Sequence, residues 1–391
     1  MEPQRHSEDS HSIGYYIEDY WDIVVGILAI FLAFYLHNKG LGTAATIASA
    51  VGIASLSLTV SEIAEILSER LEEPYGSMVL TFSAVIVEIV LLYIILLEAS
   101  HSPEVVETVK GGIISAVIVD MNVLLGLSVF IGGLKFTEQE HNKETSSTYT
   151  TILFVAGLAL LVPSLLSQSH QHSIDQVRQA SYIIATVLML FYIIIFIFQT
   201  KTHTQFFQAT ARSRLFRLKR KMQDLDHEID EDENSDYIFE KFGNAVNFII
   251  IFLLIAAIAM GAEVFANNGV KLAKEYGISA GLSGLIIAII SVSPEIFTAV
   301  KAARNDQIQR VVNIAMGASV VSILLTVPIL LALSFGSGID LMLNFNPLQI
   351  GALIMTIILA WKATEEGHTN YFEGISHLMF FICYAIIAAY Y

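Results

Sequence analysis

The sequence predicts an all-α polytopic membrane protein of about eleven transmembrane helices, its two halves related by an inverted repeat. Three observations carry that expectation. Of the 391 residues, 54% are hydrophobic and only 15% charged, whereas a soluble domain carries about 25% charged residues. Apolar windows of about 20 residues recur along the chain, each long enough to cross a bilayer core of roughly 30 Å. Acidic residues inside these windows pair between the two halves. Lipid offers no partner for an open strand edge, so the windows are read as helices.

In chain order the apolar segments fall at approximately 20–36, 44–67, 75–98, 111–134, 150–166, 180–199, 243–270, 278–300, 309–335, 348–364 and 371–390. Trp21 and the Tyr390–Tyr391 pair suit interfacial anchors. The opening residues, MEPQRHSEDSHS, are polar and mixed in charge. They lack the cationic start, short apolar core and small-residue cleavage site of a signal peptide, so none is expected. The single cysteine, Cys383, excludes an intramolecular disulfide.

Eleven crossings place the two ends of the chain on opposite faces. Sixteen of the 21 Lys and Arg residues fall on the N-terminal face. Excess positive charge marks the cytoplasm. The N-terminus and the 200–242 loop are therefore expected to be cytoplasmic and the C-terminus outside, in a multi-pass protein of the plasma (inner) membrane. The 200–242 loop begins basic (ARSRLFRLKRK, 211–221) and turns acidic, with eight acids in DLDHEIDEDENSD (224–236). It reads as a solvated linker between the halves, the alternative being a weak cation-binding or regulatory segment. It lacks the ordered spacing of an EF-hand loop. With 37 acidic against 21 basic residues and a net charge of −16, nucleic acid is not an expected partner.

Segments two and seven hold Glu62 and Glu263; segments three and eight hold Glu88 (TFSAVIVEIVLL) and Glu295 (IIAIISVSPEIFTAV). Segments three and eight run in opposite directions, an arrangement in which two halves rock about a polar site near the midplane. A carboxylate among Val85, Ile86, Val87, Ile89 and Val90 is costly in a membrane unless it faces a cavity or a partner. Pro294 has no amide hydrogen, which predicts a helix break that frees a carbonyl near Ile290. Ser291 and Ser293 add hydroxyls. Hard oxygen ligands of this kind suit Na⁺, K⁺ or Ca²⁺.

Glu88 and Glu295 are thus the candidate cation- and proton-binding carboxylates. Two carboxylates in one dehydrated cavity couple, so that a cation arrives as protons leave. Glu62 and Glu263 read as outer proton or cation relays, or as caps near helix ends. Asp120 and Asn122, near the centre of segment four, read as further site residues or as an interhelical hydrogen bond. In segment nine, Asn313, Ser319 and Ser322 lie beside Gly317, where small residues read as close helix packing. His377 reads as structural. No catalytic-triad order, HExxH, CxxC, Walker A loop or dinucleotide fingerprint is present, so neither an enzyme nor a cofactor is expected.

Five stretches carry a resemblance. EPYGSMVLTFSAVIVEI (73–89), FIGGLKFTEQEHN (130–142), FQTKTH (198–203), SPEIFTAVKAARNDQIQRVVNIAMGASVVSILLTVP (293–328) and NYFEGISHLMFF (370–381) are similar, in this order, to the ChaA-type cation:proton antiporters. These belong to the calcium/cation:proton exchanger family of the calcium:cation antiporter superfamily. The resemblance implies one peripheral helix plus a 5+5 inverted repeat: an N-terminus and first helix over 1–43, a five-helix repeat over 44–199, a charged linker over 200–242 and a second repeat over 243–391. It implies exchange of Ca²⁺, or of Na⁺ and K⁺, for protons. The family's two central glutamates fall on Glu88 and Glu295, and the glutamates of the preceding helices on Glu62 and Glu263. Where the calcium exchangers have Gly-Asn, this chain has Ala84-Val85 and Ser291-Val292; where they have glutamine and asparagine, it has Val321 and Asp120. With fewer amide ligands, the expected cargo extends from Ca²⁺ to Na⁺ and K⁺.

Two readings of other classes stay open: a cation channel using the same site without proton coupling, and a membrane sensor signalling through the acidic loop. A homo-oligomer is left open as well.

Overall fold

The computed structural model describes residues 13–71, 75–100, 104–168, 173–208 and 238–390. The basic and acidic runs of the 200–242 loop and the first twelve residues lie outside them, as does Tyr391. With no water to satisfy a backbone in hydrocarbon, long apolar runs close their hydrogen bonds internally as helices. Eleven helices among the described residues are long and apolar enough to cross a membrane. They are α1 (Ile13–Asn38), α2 (Gly42–Arg70), α3 (Tyr75–Leu97), α4 (Val105–Phe136), α5 (Lys143–Gln168), α6 (Ile174–Thr202), α7 (Asn244–Tyr276), α8 (Ala280–Arg304), α9 (Ile308–Gly336), α10 (Pro347–Thr364) and α11 (Tyr371–Tyr390). The chain is an all-α polytopic membrane protein. Several helices overrun the apolar windows: α5 starts at Lys143 because its polar first turns are helical too. Large apolar side chains such as Phe31, Phe252 and Leu253 cover the outer surface, as contact with lipid requires.

One short sheet departs from the all-helical pattern. Strand β1 (Glu138–Glu140) pairs antiparallel with β2 (His368–Asn370), tying the end of α4 to the start of α11. At the opposite end, residues 337–346 run in irregular conformation with Leu341, Leu343 and Phe345 buried. Side chains satisfy this buried backbone: Ser164 donates to the Leu343 carbonyl, Leu343 N–H donates to Ser181 Oγ, and Lys110 donates to the Asn344 carbonyl.

Small residues place α4 and α9 at the centre, with 83% of each apolar window buried, against 28% for the peripheral α1. A Cβ on Gly284 of α8 would lie 2.5 Å from the backbone of Gly111 and Gly112 in α4. One on Gly374 of α11 would lie 2.3 Å from Phe130 N. Backbones in such contact admit no side chain between them. Both central helices also loosen near mid-span: α4 makes a π turn over Asp120–Leu124, and α9 makes one over Ser322–Thr326.

Where β1 passes into α5, buried His141 places Nε2 2.7 Å from Ser146 Oγ and 3.2 Å from the Thr364 carbonyl. Burial pushes this imidazole down to about 4.

Two outcomes follow from this packing. Gly284→Val should cost at least about 1–3 kcal/mol of stability through overpacking, because backbone rather than a flexible side chain meets the new atoms; an unchanged melting temperature in detergent would refute the contact. An unfolded histidine titrates near 6.5, so as pH falls the unfolded chain takes up the His141 proton first. The stability this site contributes is complete above about pH 6.5 and is lost between there and about pH 4. His141→Gln should flatten that limb of the melting profile.

Candidate cation and proton site

The site is built where α3, α4, α8 and α9 meet. Glu88 of α3 is only 6% exposed, and an isolated charge there would be severely penalised by desolvation. The structure answers part of this demand from α9. Ser322 Oγ donates to Glu88 Oε2 at 2.8 Å and Thr326 Oγ1 donates to the same oxygen at 3.3 Å. These two hydroxyls bracket the π turn of α9. Glu88 Oε1 is buried without a hydrogen-bond partner.

Asp120 opens the π turn of α4 and is 1% exposed. Ser319 of α9 donates to its Oδ2 at 3.3 Å, while its Oδ1 also lacks a partner. Glu88, Asp120 and Glu295 line one cavity of about 240 Å³, together with Ser291, Ser322 and the small or apolar Ala84, Val85, Val292 and Ala318. Among the described residues, no Lys, Arg or His lines it. Three carboxylates therefore face one space with no protein counter-charge, and two of their oxygens are unsatisfied. Such a space is suited to protons or to a hard cation. The acids do not converge into a ready-made cage, since no group of three or more His, Cys, Asp or Glu side chains among the described residues is placed to hold a metal ion.

The other residues singled out in the sequence fall as follows. Ser291 lines the cavity, but Ser293 does not: its hydroxyl donates back to the Ile289 carbonyl at 2.5 Å. The helix break expected at Pro294 does not form, and α8 runs unbroken from Ala280 to Arg304. Proline keeps a helical φ, so its missing N–H costs one hydrogen bond without forcing the chain apart, and the contact at Gly284 holds α8 against α4. The loosened turns lie instead in α4 and α9. Glu62 and Glu263 are exposed and neither lines the cavity. Asn122 donates to Thr356 Oγ1 and His377 Nδ1 lies 3.0 Å from Asn122 Oδ1, forming an interhelical link away from the cavity.

Sequence reasoning read Ser322 as packing and did not name Thr326. The available signal was two hydroxyl residues at i and i+4 in an otherwise apolar span, followed by Pro328.

An eleven-span bundle with carboxylates around a buried cavity defines an integral, multi-pass membrane protein of the ion-handling class. The chain belongs to the sodium/calcium exchanger protein family, which matches residues 37–201 and 246–390, each block taking in five of the spans. It is 26% identical over 363 residues to a protein of Escherichia coli (strain K12) named sodium-potassium/proton antiporter ChaA, covering 92% of this chain and 93% of that one. It is 24% identical over 368 residues to a Ca²⁺/H⁺ antiporter of Synechocystis sp. (strain ATCC 27184 / PCC 6803 / Kazusa), covering 93% and 95%. The fold matches native YfkE with a TM-score of 0.75 at 18% identity, covering 95% of this chain and 100% of that one. It matches an H⁺/Ca²⁺ exchanger CAX with a TM-score of 0.68 at 15% identity, covering 96% and 92%. The relatives are transporters that move cations and protons.

Removing the donors to Glu88 should lower the melting temperature in detergent. Ser322→Ala is expected to cost about 1–3 kcal/mol, and Thr326→Val less, because its bond is longer. Equal losses, or none, would mean that these hydroxyls do not hold the carboxylate.

Proposed function

We propose that the protein is a secondary active antiporter that exports Ca²⁺ and/or Na⁺ and K⁺ in exchange for protons. One observation carries the reading: Glu88 Oε1 and Asp120 Oδ1 are buried without partners in a cavity that no basic residue lines. Protons neutralise these acids one at a time, and a cation neutralises them by coordination, so occupancy by one competes with occupancy by the other. Glu88 and Glu295 are the central carboxylates, Asp120 adds a third negative group, and the hydroxyls of Ser291 and Ser322 supply neutral oxygens. Binding of the cargo ion draws these oxygens together, which lets the two halves close around it and reopen on the other side. The ion gradients drive the cycle and no cofactor enters it.

The relatives named as cation/proton antiporters support the exchange reading, and the E. coli and Synechocystis names differ in cargo. The cation bias of the loops supports a cytoplasmic N-terminus and an external C-terminus in a plasma (inner) membrane. In proteoliposomes, an imposed Ca²⁺, Na⁺ or K⁺ gradient should drive proton flux in the opposite direction. Glu88→Gln or Glu295→Gln should abolish that flux in a protein that still elutes as a folded species. Voltage-driven cation current without proton flux would replace this reading with the channel; normal flux in either variant would remove the glutamates from the mechanism.

A further inference from the structure

A second cavity, of about 310 Å³, lies on the other side of Glu295 and is lined by Ser61, Thr81, Ala84, Thr298 and Ile314. The helix directions fix which end of the bundle it approaches. Thr81 precedes Glu88 on α3, which starts at Tyr75, and Thr298 follows Glu295 on α8, which ends at Arg304. Both therefore lie toward the end of the bundle that carries Arg70, Tyr75, Arg304 and Ile308. The Ser61 and Thr298 hydroxyls are 3.3 Å apart, joining α2 to α8 across this space.

One helical turn nearer that end, an ion pair joins two of the helices that line this space, α2 and α9. Glu65 follows Ser61 by four residues on α2, and Arg310 precedes Ile314 by four on α9, so each shares a helix face with a residue lining the cavity. Arg310 Nη2 lies 2.6 Å from Glu65 Oε1, with the two side chains 31% and 22% exposed. A half-exposed pair of this kind adds little to stability. Its position is what distinguishes it, because it ties two separate helices directly outside a hydroxyl-lined space that leads to Glu295. Glu62, three residues before Glu65 and on the same side of α2, is exposed.

We propose that the Glu65–Arg310 ion pair is a latch over a passage to Glu295, and that Glu65 is the first carboxylate a cation meets when the latch opens. Closed, the guanidinium stands in front of the cation site and neutralises Glu65 at its mouth. Opened by movement of α2 against α9, the pair leaves Glu65 free to receive a cation and pass it along Ser61, Thr81 and Thr298 toward Glu295. The latch is a statement about access alone; the identity of what passes rests on the antiport reading.

The test separates the two. In a Cys383→Ser background, Thr81→Cys reports access to the passage through its rate of reaction with a hydrophilic thiol reagent in detergent. Arg310→Gln and Glu65→Gln should each speed labelling about 1.5- to fivefold, the range expected from losing one partly exposed ion pair. Arg310→Lys, which keeps the charge, should label at the parental rate. The charge swap Glu65→Arg with Arg310→Glu should slow labelling again relative to either single variant. Unchanged labelling in both single variants, or a swap no slower than they are, would overturn the latch. In proteoliposomes, Glu65→Gln should raise the half-saturating cation concentration more than it changes the maximal flux, and the converse split would remove Glu65 from the path. Absent exchange in the parent protein, with the labelling pattern intact, would overturn the antiport reading and leave the latch standing.

Discussion

A carboxylate in an apolar interior must be given something to bind, and this constraint organises the centre of the molecule. Glu88 receives two hydroxyls on one oxygen and nothing on the other. Full satisfaction would have made it a structural residue, locked to α9. No satisfaction would have made its burial prohibitively costly. Half satisfaction holds the side chain in place and leaves one oxygen without a partner. Asp120 repeats the arrangement with one hydroxyl bond and one unpartnered oxygen.

The supporting structure follows from bringing these groups together. A straight helix projects residues four apart along one stripe, whereas the π turns of α4 and α9 add a residue to one turn and open the backbone beside the cavity. The turns begin at Asp120 and at Ser322, at matching places in two helices that run in opposite senses through the bundle. The match is structural, while the chemistry differs. In one helix the residue at the turn is a carboxylate, and in the other it is a hydroxyl that donates to a carboxylate. The cavity therefore has three acids, one from each of α3, α4 and α8. Glycines at 111, 112, 284 and 374 bring α4 close enough to α8 and α11 for this short-range chemistry to operate.

Helices that close around a buried site must also part. The lining of the two cavities shares Ala84 and Glu295, so Glu295 stands between the space beside Glu88 and Asp120 and one directed toward an end of the bundle. On this geometry the acid of α8 lines both spaces and the acid of α3 lines one, although the two look equivalent in sequence.

The sequence by itself determined the class of molecule. Eleven apolar windows, the sparse charge and the acids at Glu88 and Glu295 are local properties of the chain, and hydrocarbon leaves a long apolar window no structure other than a helix. The sequence also presented Pro294 as a break, because a proline's missing N–H is visible in one dimension while the packing around its helix, which runs on to Arg304, is not. Tertiary structure decided which polar residues meet. Ser322 reaches Glu88 across 234 residues and Arg310 reaches Glu65 across 245. Glu62 and Glu65 look alike in the chain and sit on the same side of α2, yet Glu62 is exposed and Glu65 is partly buried. That Glu65 pairs with Arg310 depends on how α2 is set in the bundle, and α2 packs both on its sequence neighbour α1 and on α7, about two hundred residues away.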